Sequence, residues 1–275
     1  MSRRSQPFLI PVAALALIAA ACGDDDDSAA TTAETSAVET TEAPATTEPG
    51  VAGDTTVFAA TSLTDAFTEV GDAFSAAYPD ATATFSFDGS SALVQQIIQG
   101  APADVFASAD MANMTKLTDA DLNGTEPEIF ATNLLTIIVA PGNPLGITGV
   151  ADLTDPAIKV VTCAAEVPCG NYADQIFAAA GVTVTPVSLE QNVGGVRTKV
   201  VEGEADAGIV YVTDVIAAGD AAEMVEIPAD INVVAQYPIA TVAASTDQAV
   251  DEAFIDFLAG PDGRAILADY GFGAP

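Results

Sequence analysis

Short apolar runs alternate with helix-periodic segments along most of the chain. Apolar or alternating runs predict strands at 56–60, 83–87, 104–107, 134–140, 158–162, 207–211 and 238–244. Apolar residues that recur every three or four positions predict helices at 63–77, 92–99, 172–180, 193–201 and 248–258. Strands that alternate with helices in this way indicate an α/β class, with mostly parallel sheets flanked by helices.

Two long apolar strands suggest that the folded part has two lobes. The strand at 134–140 ends before Pro141, and the strand at 238–244 follows an apolar cluster at 231–236. A chain that crosses between lobes at these two places predicts lobe 1 at 54–132 plus 236–275, and lobe 2 at 133–235. The crossings would form a hinge between the lobes.

The first residues have the pattern of an export signal. Arg3 and Arg4 precede an apolar run at 8–21, which is shorter than the roughly 20 residues that a membrane-spanning helix needs. We therefore interpret 1–21 as a signal peptide rather than a membrane span. Small residues before Cys22 resemble a lipobox, although Ala19 stands where Leu or Val is usual. Cys22 is the predicted site of lipidation.

Residues 22–53 are rich in Asp, Glu, Ala, Thr, Ser and Pro and contain no aromatic residue. Such a composition cannot bury enough apolar surface to offset the entropy of ordering the chain. We expect this segment to be a disordered acidic tether, anchored by lipid, that lets the folded part reach away from a membrane surface.

The charge balance excludes several classes of function. With 7 basic and 39 acidic residues the net charge is −32, which disfavours binding to nucleic acid or to an anionic lipid surface. The chain has no histidine, so it has no Ser-His or Cys-His pair for nucleophilic catalysis. It also lacks a dinucleotide-binding glycine motif and a phosphate loop. These absences indicate that the protein is not an enzyme.

Two predicted strands end in hydroxyl-bearing residues where a helix begins. Ser62 follows the first strand, with Asp65 three positions later, and Ser90 follows the strand at 83–87. Each serine fits an ordinary helix N-cap. Each also fits an anion site, because the start of a helix presents free N–H groups and a partial positive charge. Both interpretations can hold together.

Cys163 and Cys169 lie six positions apart, and a disulfide between them is the leading interpretation in an exported protein. Zinc binding is disfavoured because the chain has no histidine and only these two thiols close together. Free thiols remain the third interpretation.

Several sequence blocks, in order and with compatible spacing, resemble the molybdate-binding periplasmic protein family. They are the stretches at 57–64, 89–93, 100–106, 167–170, 208–211 and 269–272. The resemblance covers nearly all of 55–275 and implies a periplasmic-binding-protein type II fold. It also implies a receptor that delivers molybdate, or tungstate, to an ABC importer.

The resemblance also implies which residues would hold the oxyanion. Ser62 and Ser90 would supply hydroxyl and backbone N–H groups, and Tyr211 a phenol. Cys169 and Val193 would contribute through their backbone N–H groups. No cofactor is implied, and the one metal expected is the molybdenum or tungsten of the bound oxyanion.

Asp88 departs from the expected pattern, because a small neutral residue is expected two positions before Ser90. Molybdate carries no proton at neutral pH and needs donors alone, whereas phosphate keeps a proton and profits from an acidic acceptor. Asp88 either faces solvent and caps its own turn or faces the pocket and changes the preferred anion. A receptor for sulfate or phosphate, and a surface lipoprotein for sensing or adhesion, remain alternatives.

The resemblance finally implies the partners and the location. A transporter permease with its cytoplasmic ATPase would receive the anion from a monomeric receptor. Lipid on Cys22 would hold that receptor at the outer face of the cytoplasmic membrane, on the periplasmic or extracellular side.

Overall fold

A computed structural model describes residues 50–275. The predicted signal peptide at 1–21, the lipidation site Cys22 and the tether as far as residue 49 lie outside the described residues. No helix among residues 50–275 is both long enough and apolar enough to cross a membrane.

Nine strands form one curled sheet in the order β2-β1-β3-β9-β4-β7-β5-β6, and β8 pairs with β4. The seven predicted strands are all present, and the short strands β6 and β8 were not predicted. The strands are β1 (Gly53–Ala60), β2 (Ala81–Asp88), β3 (Val105–Ala107), β4 (Glu128–Val139), β5 (Val160–Cys163), β6 (Ser188–Glu190), β7 (Ala207–Tyr211), β8 (Glu223–Glu226) and β9 (Val234–Thr241).

Eight helices cover the sheet in the described part of the chain. The five predicted helices are present, and α3, α6 and α8 were not predicted. The helices are α1 (Thr64–Ala77), α2 (Ser90–Ile98), α3 (Met111–Asp119), α4 (Pro168–Ala180), α5 (Val193–Val201), α6 (Val212–Ala218), α7 (Gln248–Ala259) and α8 (Pro261–Asp269).

Strand directions make the sheet mixed rather than mostly parallel. β1 runs parallel to β2 and β3, and β5 runs parallel to β6 and β7. β4 and β9 instead pair antiparallel with each other and with their other neighbours. Both strands lie in the middle of the sheet, and β4 joins its two parts.

β4 changes partner halfway along its length. Its residues 128–134 pair with β9, and residues 135–139 pair with β7. We call β2, β1, β3, β9 and residues 128–134 the first half-sheet, and residues 135–139, β7, β5, β6 and β8 the second half-sheet. The carboxyl ends of the parallel strands in each half-sheet lead directly into helices, so the starts of these helices can meet in one place.

Aromatic packing stabilises the first half-sheet. The apolar face of α1 buries Phe67 and Phe74 completely. The Phe254 ring of α7 lies 6.1 Å from the Phe67 ring and 5.5 Å from the Phe74 ring, in edge-on arrangements that aromatic pairs favour. This packing fixes α1 and the turn that precedes it, which carries Ser62.

Candidate functional site

A small pocket, here called the cavity, lies between the two half-sheets. The five residues predicted from the resemblance all line it: Ser62, Ser90, Cys169, Val193 and Tyr211. They come from five separate segments that lie far apart in the sequence. The fold therefore brings together residues that only the family resemblance had linked.

Three helices begin at the cavity. Ser90 is the first residue of α2, Cys169 the second residue of α4 and Val193 the first residue of α5. The first N–H groups of a helix have no acceptor within the helix, and the helix dipole places partial positive charge there. These N–H groups give the cavity the properties of an anion site without any cationic side chain.

Tyr211 ends β7 and is one of the residues that line the cavity. The Tyr211 hydroxyl oxygen is buried and has no hydrogen-bond partner among residues 50–275. Burial, followed by the nearby Tyr237 and Tyr172, raises the pKa of Tyr211 well above its usual value. The phenol therefore stays protonated at neutral pH and has a proton to donate to a ligand.

Thr61 is a lining residue that the sequence did not single out. Its hydroxyl oxygen is buried and, within the described residues, has no hydrogen-bond partner. A buried hydroxyl without a partner costs free energy, so two such groups on residues that line one cavity indicate a place for an acceptor. The available signal was the Thr-Ser pair itself, since Thr61 directly precedes Ser62 in the same turn.

The two predicted serines are held by fixed partners. The Ser62 hydroxyl lies 2.9 Å from the Tyr237 hydroxyl, which also accepts from the Asn133 amide at 3.5 Å. Because Asn133 donates to Tyr237, the Tyr237 proton can point to Ser62 and leave the Ser62 proton for the cavity. Ser90 accepts from the backbone N–H of Ala109 at 3.0 Å, which likewise leaves its proton free.

The cavity lining contains no Asp, Glu, Lys or Arg. Among residues 50–275, no group of three or more Cys, Asp or Glu side chains is placed to hold a metal cation. A ligand here meets neutral donors and helix N-termini, and it meets no carboxylate acceptor. That combination suits an anion that is fully deprotonated.

Asp88 does not line the cavity. One of its carboxylate oxygens accepts from the N–H of Gly89 at 2.7 Å and from the side-chain amide of Asn192 at 3.0 Å. Asp88 therefore caps its own turn, as one of the two interpretations expected, but it is half-buried rather than turned fully to solvent. The second contact, to a residue of the second half-sheet, was not foreseen.

A disulfide joins Cys163, at the end of β5, to Cys169 in the first turn of α4, which confirms the leading interpretation. The bend between them is tight: a β-carbon at Gly170 would lie 2.0 Å from the carbonyl oxygen of Ala164. The disulfide and this close approach together hold the start of α4, and hence the N–H of Cys169, against the end of β5.

Comparison with known proteins identifies the family. The model of the bacterial extracellular solute-binding protein family matches residues 55–273. The chain belongs to this family. Membership indicates a periplasmic or extracellular location and a role in solute binding for transport rather than in catalysis.

This solute-binding chain is 43% identical over 219 residues to the molybdate-binding protein ModA of Mycobacterium tuberculosis, covering 80% of the chain and 84% of that protein. The periplasmic molybdate-binding protein of Azotobacter vinelandii has a similar structure, with a TM-score of 0.68, 21% identity and coverage of 80% and 99%. The sulfate-binding protein SubI of M. tuberculosis gives a TM-score of 0.70, 21% identity and coverage of 80% and 86%. At 21% identity these structures carry the fold alone, and they confirm the predicted periplasmic-binding-protein fold.

Proposed function

We propose that this protein binds molybdate, and also tungstate, outside the cytoplasm and delivers it to an ABC importer. The observation that carries the proposal is the cavity lining, in which neutral hydroxyls and helix N-termini converge without a carboxylate. A tetrahedral dianion without a proton can accept from such donors and needs no acceptor in return. The 43% identity to a protein named for molybdate binding supports the choice among such dianions.

The donors come from both half-sheets, which supports a hinged mechanism. Thr61, Ser62 and Ser90 follow strands of the first half-sheet, and the N–H groups of Cys169 and Val193 follow strands of the second. We propose two lobes, 54–132 plus 236–275 and 133–235, which carry most of the first and of the second half-sheet and close over the anion. The anion binds to the serines first, and closure adds the remaining donors.

The closed form would then be recognised by the permease of the importer, whose ATPase lies in the cytoplasm. A monomer held by lipid on Cys22 at the outer face of the cytoplasmic membrane fits this role, because the acidic segment at 22–53 would allow it to reach the permease. The strongly negative net charge makes local dipoles, rather than the overall field, responsible for holding an anion.

Thermal unfolding of the protein with molybdate, tungstate, sulfate and phosphate in turn tests the proposal. A ligand at 100 times its dissociation constant adds about 2.7 kcal/mol to stability, which corresponds to a rise of roughly 5 to 11 °C in the midpoint. We expect large shifts with molybdate and tungstate, a small one with sulfate and none with phosphate.

Other outcomes favour the alternatives. The fold shared with SubI makes sulfate the closest competitor, and a shift with sulfate that exceeds the shift with molybdate would assign the site to sulfate. If only phosphate raises the unfolding midpoint, an acidic acceptor must face the pocket, and the proposal is wrong on this point. No shift with any anion would favour a sensing or adhesion lipoprotein.

A further inference from the structure

Asp88 and Asn192 connect the two half-sheets directly beside the cavity. Asp88 is the last residue of β2, and Asn192 precedes α5, 104 positions later in the chain. The Asn192 amide donates to the Asp88 carboxylate at 3.0 Å. The other end of the same amide accepts from the N–H of Gly195 at 3.0 Å and so caps α5. Asn192 therefore holds the start of α5 and the end of β2 at the same time.

The two turns also approach each other through their backbones. A β-carbon at Gly89 would lie 2.2 Å from the carbonyl oxygen of Gln191, so the approach needs glycine at this position. Gly89 precedes Ser90, and Gln191 and Asn192 precede Val193, which places the contact between two of the proposed oxyanion donors.

A second cross-connection is weaker. The Tyr172 hydroxyl of α4 donates to the carbonyl of Ala109 at 3.3 Å, and both partners are neutral. The Asp88 bond is shorter and has a charged acceptor, and charge-assisted hydrogen bonds are roughly twice as strong as neutral ones. The bond between Asp88 and Asn192 is therefore stronger than the bond between Tyr172 and Ala109.

We propose that Asp88 is a positioning residue whose hydrogen bond with Asn192, here called the clasp, keeps the two turns together over the bound anion and slows its release. The inference rests on the proposed function. Asp88 does not touch the anion in this account. It acts through Gly89 and Asn192. Its carboxylate accepts hydrogen bonds from both residues and so fixes the starts of α2 and α5, which follow them.

Exchanging the two side chains tests the clasp. Asn192→Asp keeps an oxygen to cap α5 but cannot donate to Asp88, and the two carboxylates repel. We expect radiolabelled molybdate, chased with unlabelled molybdate, to leave this variant about tenfold faster than the natural protein, the change expected from one hydrogen bond to a charged group. Adding Asp88→Asn restores a donor on the opposite side, so the double variant should release molybdate several-fold more slowly than Asn192→Asp alone, although a carboxylate at position 192, which lines the cavity, still repels the anion.

A matched control separates the clasp from a general effect of charge. Asn171→Asp adds the same charge on α4. Any change that Asn171→Asp causes in the release rate should not be corrected by Asp88→Asn. If Asp88→Asn corrects both variants equally, or if the effects of Asn192→Asp and Asp88→Asn on the release rate simply multiply, the clasp is rejected.

The same proteins are compared by thermal unfolding without anion, because the bond joins two distant segments of the folded protein. We expect the exchange to restore the midpoint as well. If the exchange restores the midpoint but neither the natural protein nor any variant binds molybdate, the proposed function is rejected, and with it the role of the clasp in release. Binding with no coupling between the two positions would reject the clasp alone.

Discussion

Replacing Tyr211 with Phe should separate binding from stability. Tyr211 lines the cavity, and its hydroxyl is buried and has no hydrogen-bond partner within residues 50–275. Its removal therefore breaks no bond within the described protein. A hydrogen bond from a neutral donor to a charged ligand contributes about 1.5–3 kcal/mol, so we expect the dissociation constant for molybdate to rise by a factor of about 10 to 150.

Without anion, the stability of the Tyr211→Phe variant should rise or stay the same. An unsatisfied buried hydroxyl costs about 1–3 kcal/mol, and Phe fills nearly the same space without that cost. Isothermal titration calorimetry measures the affinity, and thermal unfolding without anion measures the stability. An unchanged dissociation constant would remove Tyr211 from the site. A midpoint that falls by several degrees without anion would show that the hydroxyl is a structural group and refute the reasoning.

Three further predictions concern neighbouring groups. Thr61→Val removes the second unpartnered hydroxyl at nearly constant shape and should weaken molybdate binding about tenfold by calorimetry; an unchanged affinity would exclude Thr61. Replacing Cys163 and Cys169 together with Ala opens a short loop and should lower the free energy of unfolding in urea by about 2 kcal/mol, whereas equal stability would show that the disulfide adds nothing. Burial raises the pKa of Asp214 to about 7, so the folded state keeps a proton that the unfolded chain, with a pKa of about 3.9, releases. The contribution of Asp214 to stability is thus full below about pH 4 and lost as the pH rises through about 7. Asp214→Asn should flatten this decline in urea unfolding, and an unchanged pH profile would contradict the assignment.

The sequence predicted the elements whose hydrophobic pattern is strong. Helix α5 has the predicted bounds, because valines recur on its buried face. Strand β4 begins six residues earlier than the apolar run indicated, since polar residues such as Asn133 are buried there by pairing with β9. Strands β6 and β8 were missed because they are short and largely exposed, so no alternation marks them.

The candidate site was predicted through family resemblance more than through local pattern. Ser62 and Ser90 stand at recognisable strand-to-helix turns, but nothing near Cys169 or Val193 in the sequence distinguishes a backbone donor. Thr61 and the bond between Asp88 and Asn192 depend on how distant segments meet. That information lies in tertiary packing and is invisible in the pattern of a single chain.

The most direct test of the central claim is a crystal structure with molybdate, in which the anomalous signal of molybdenum locates the anion. The account predicts one strong molybdenum peak in the cavity, with oxygens within hydrogen-bond distance of the Ser90 and Tyr211 hydroxyls and of the N–H groups that begin α4 and α5. A peak elsewhere on the protein, or an anion bound by carboxylates or a lysine at the surface with the cavity empty, would contradict it.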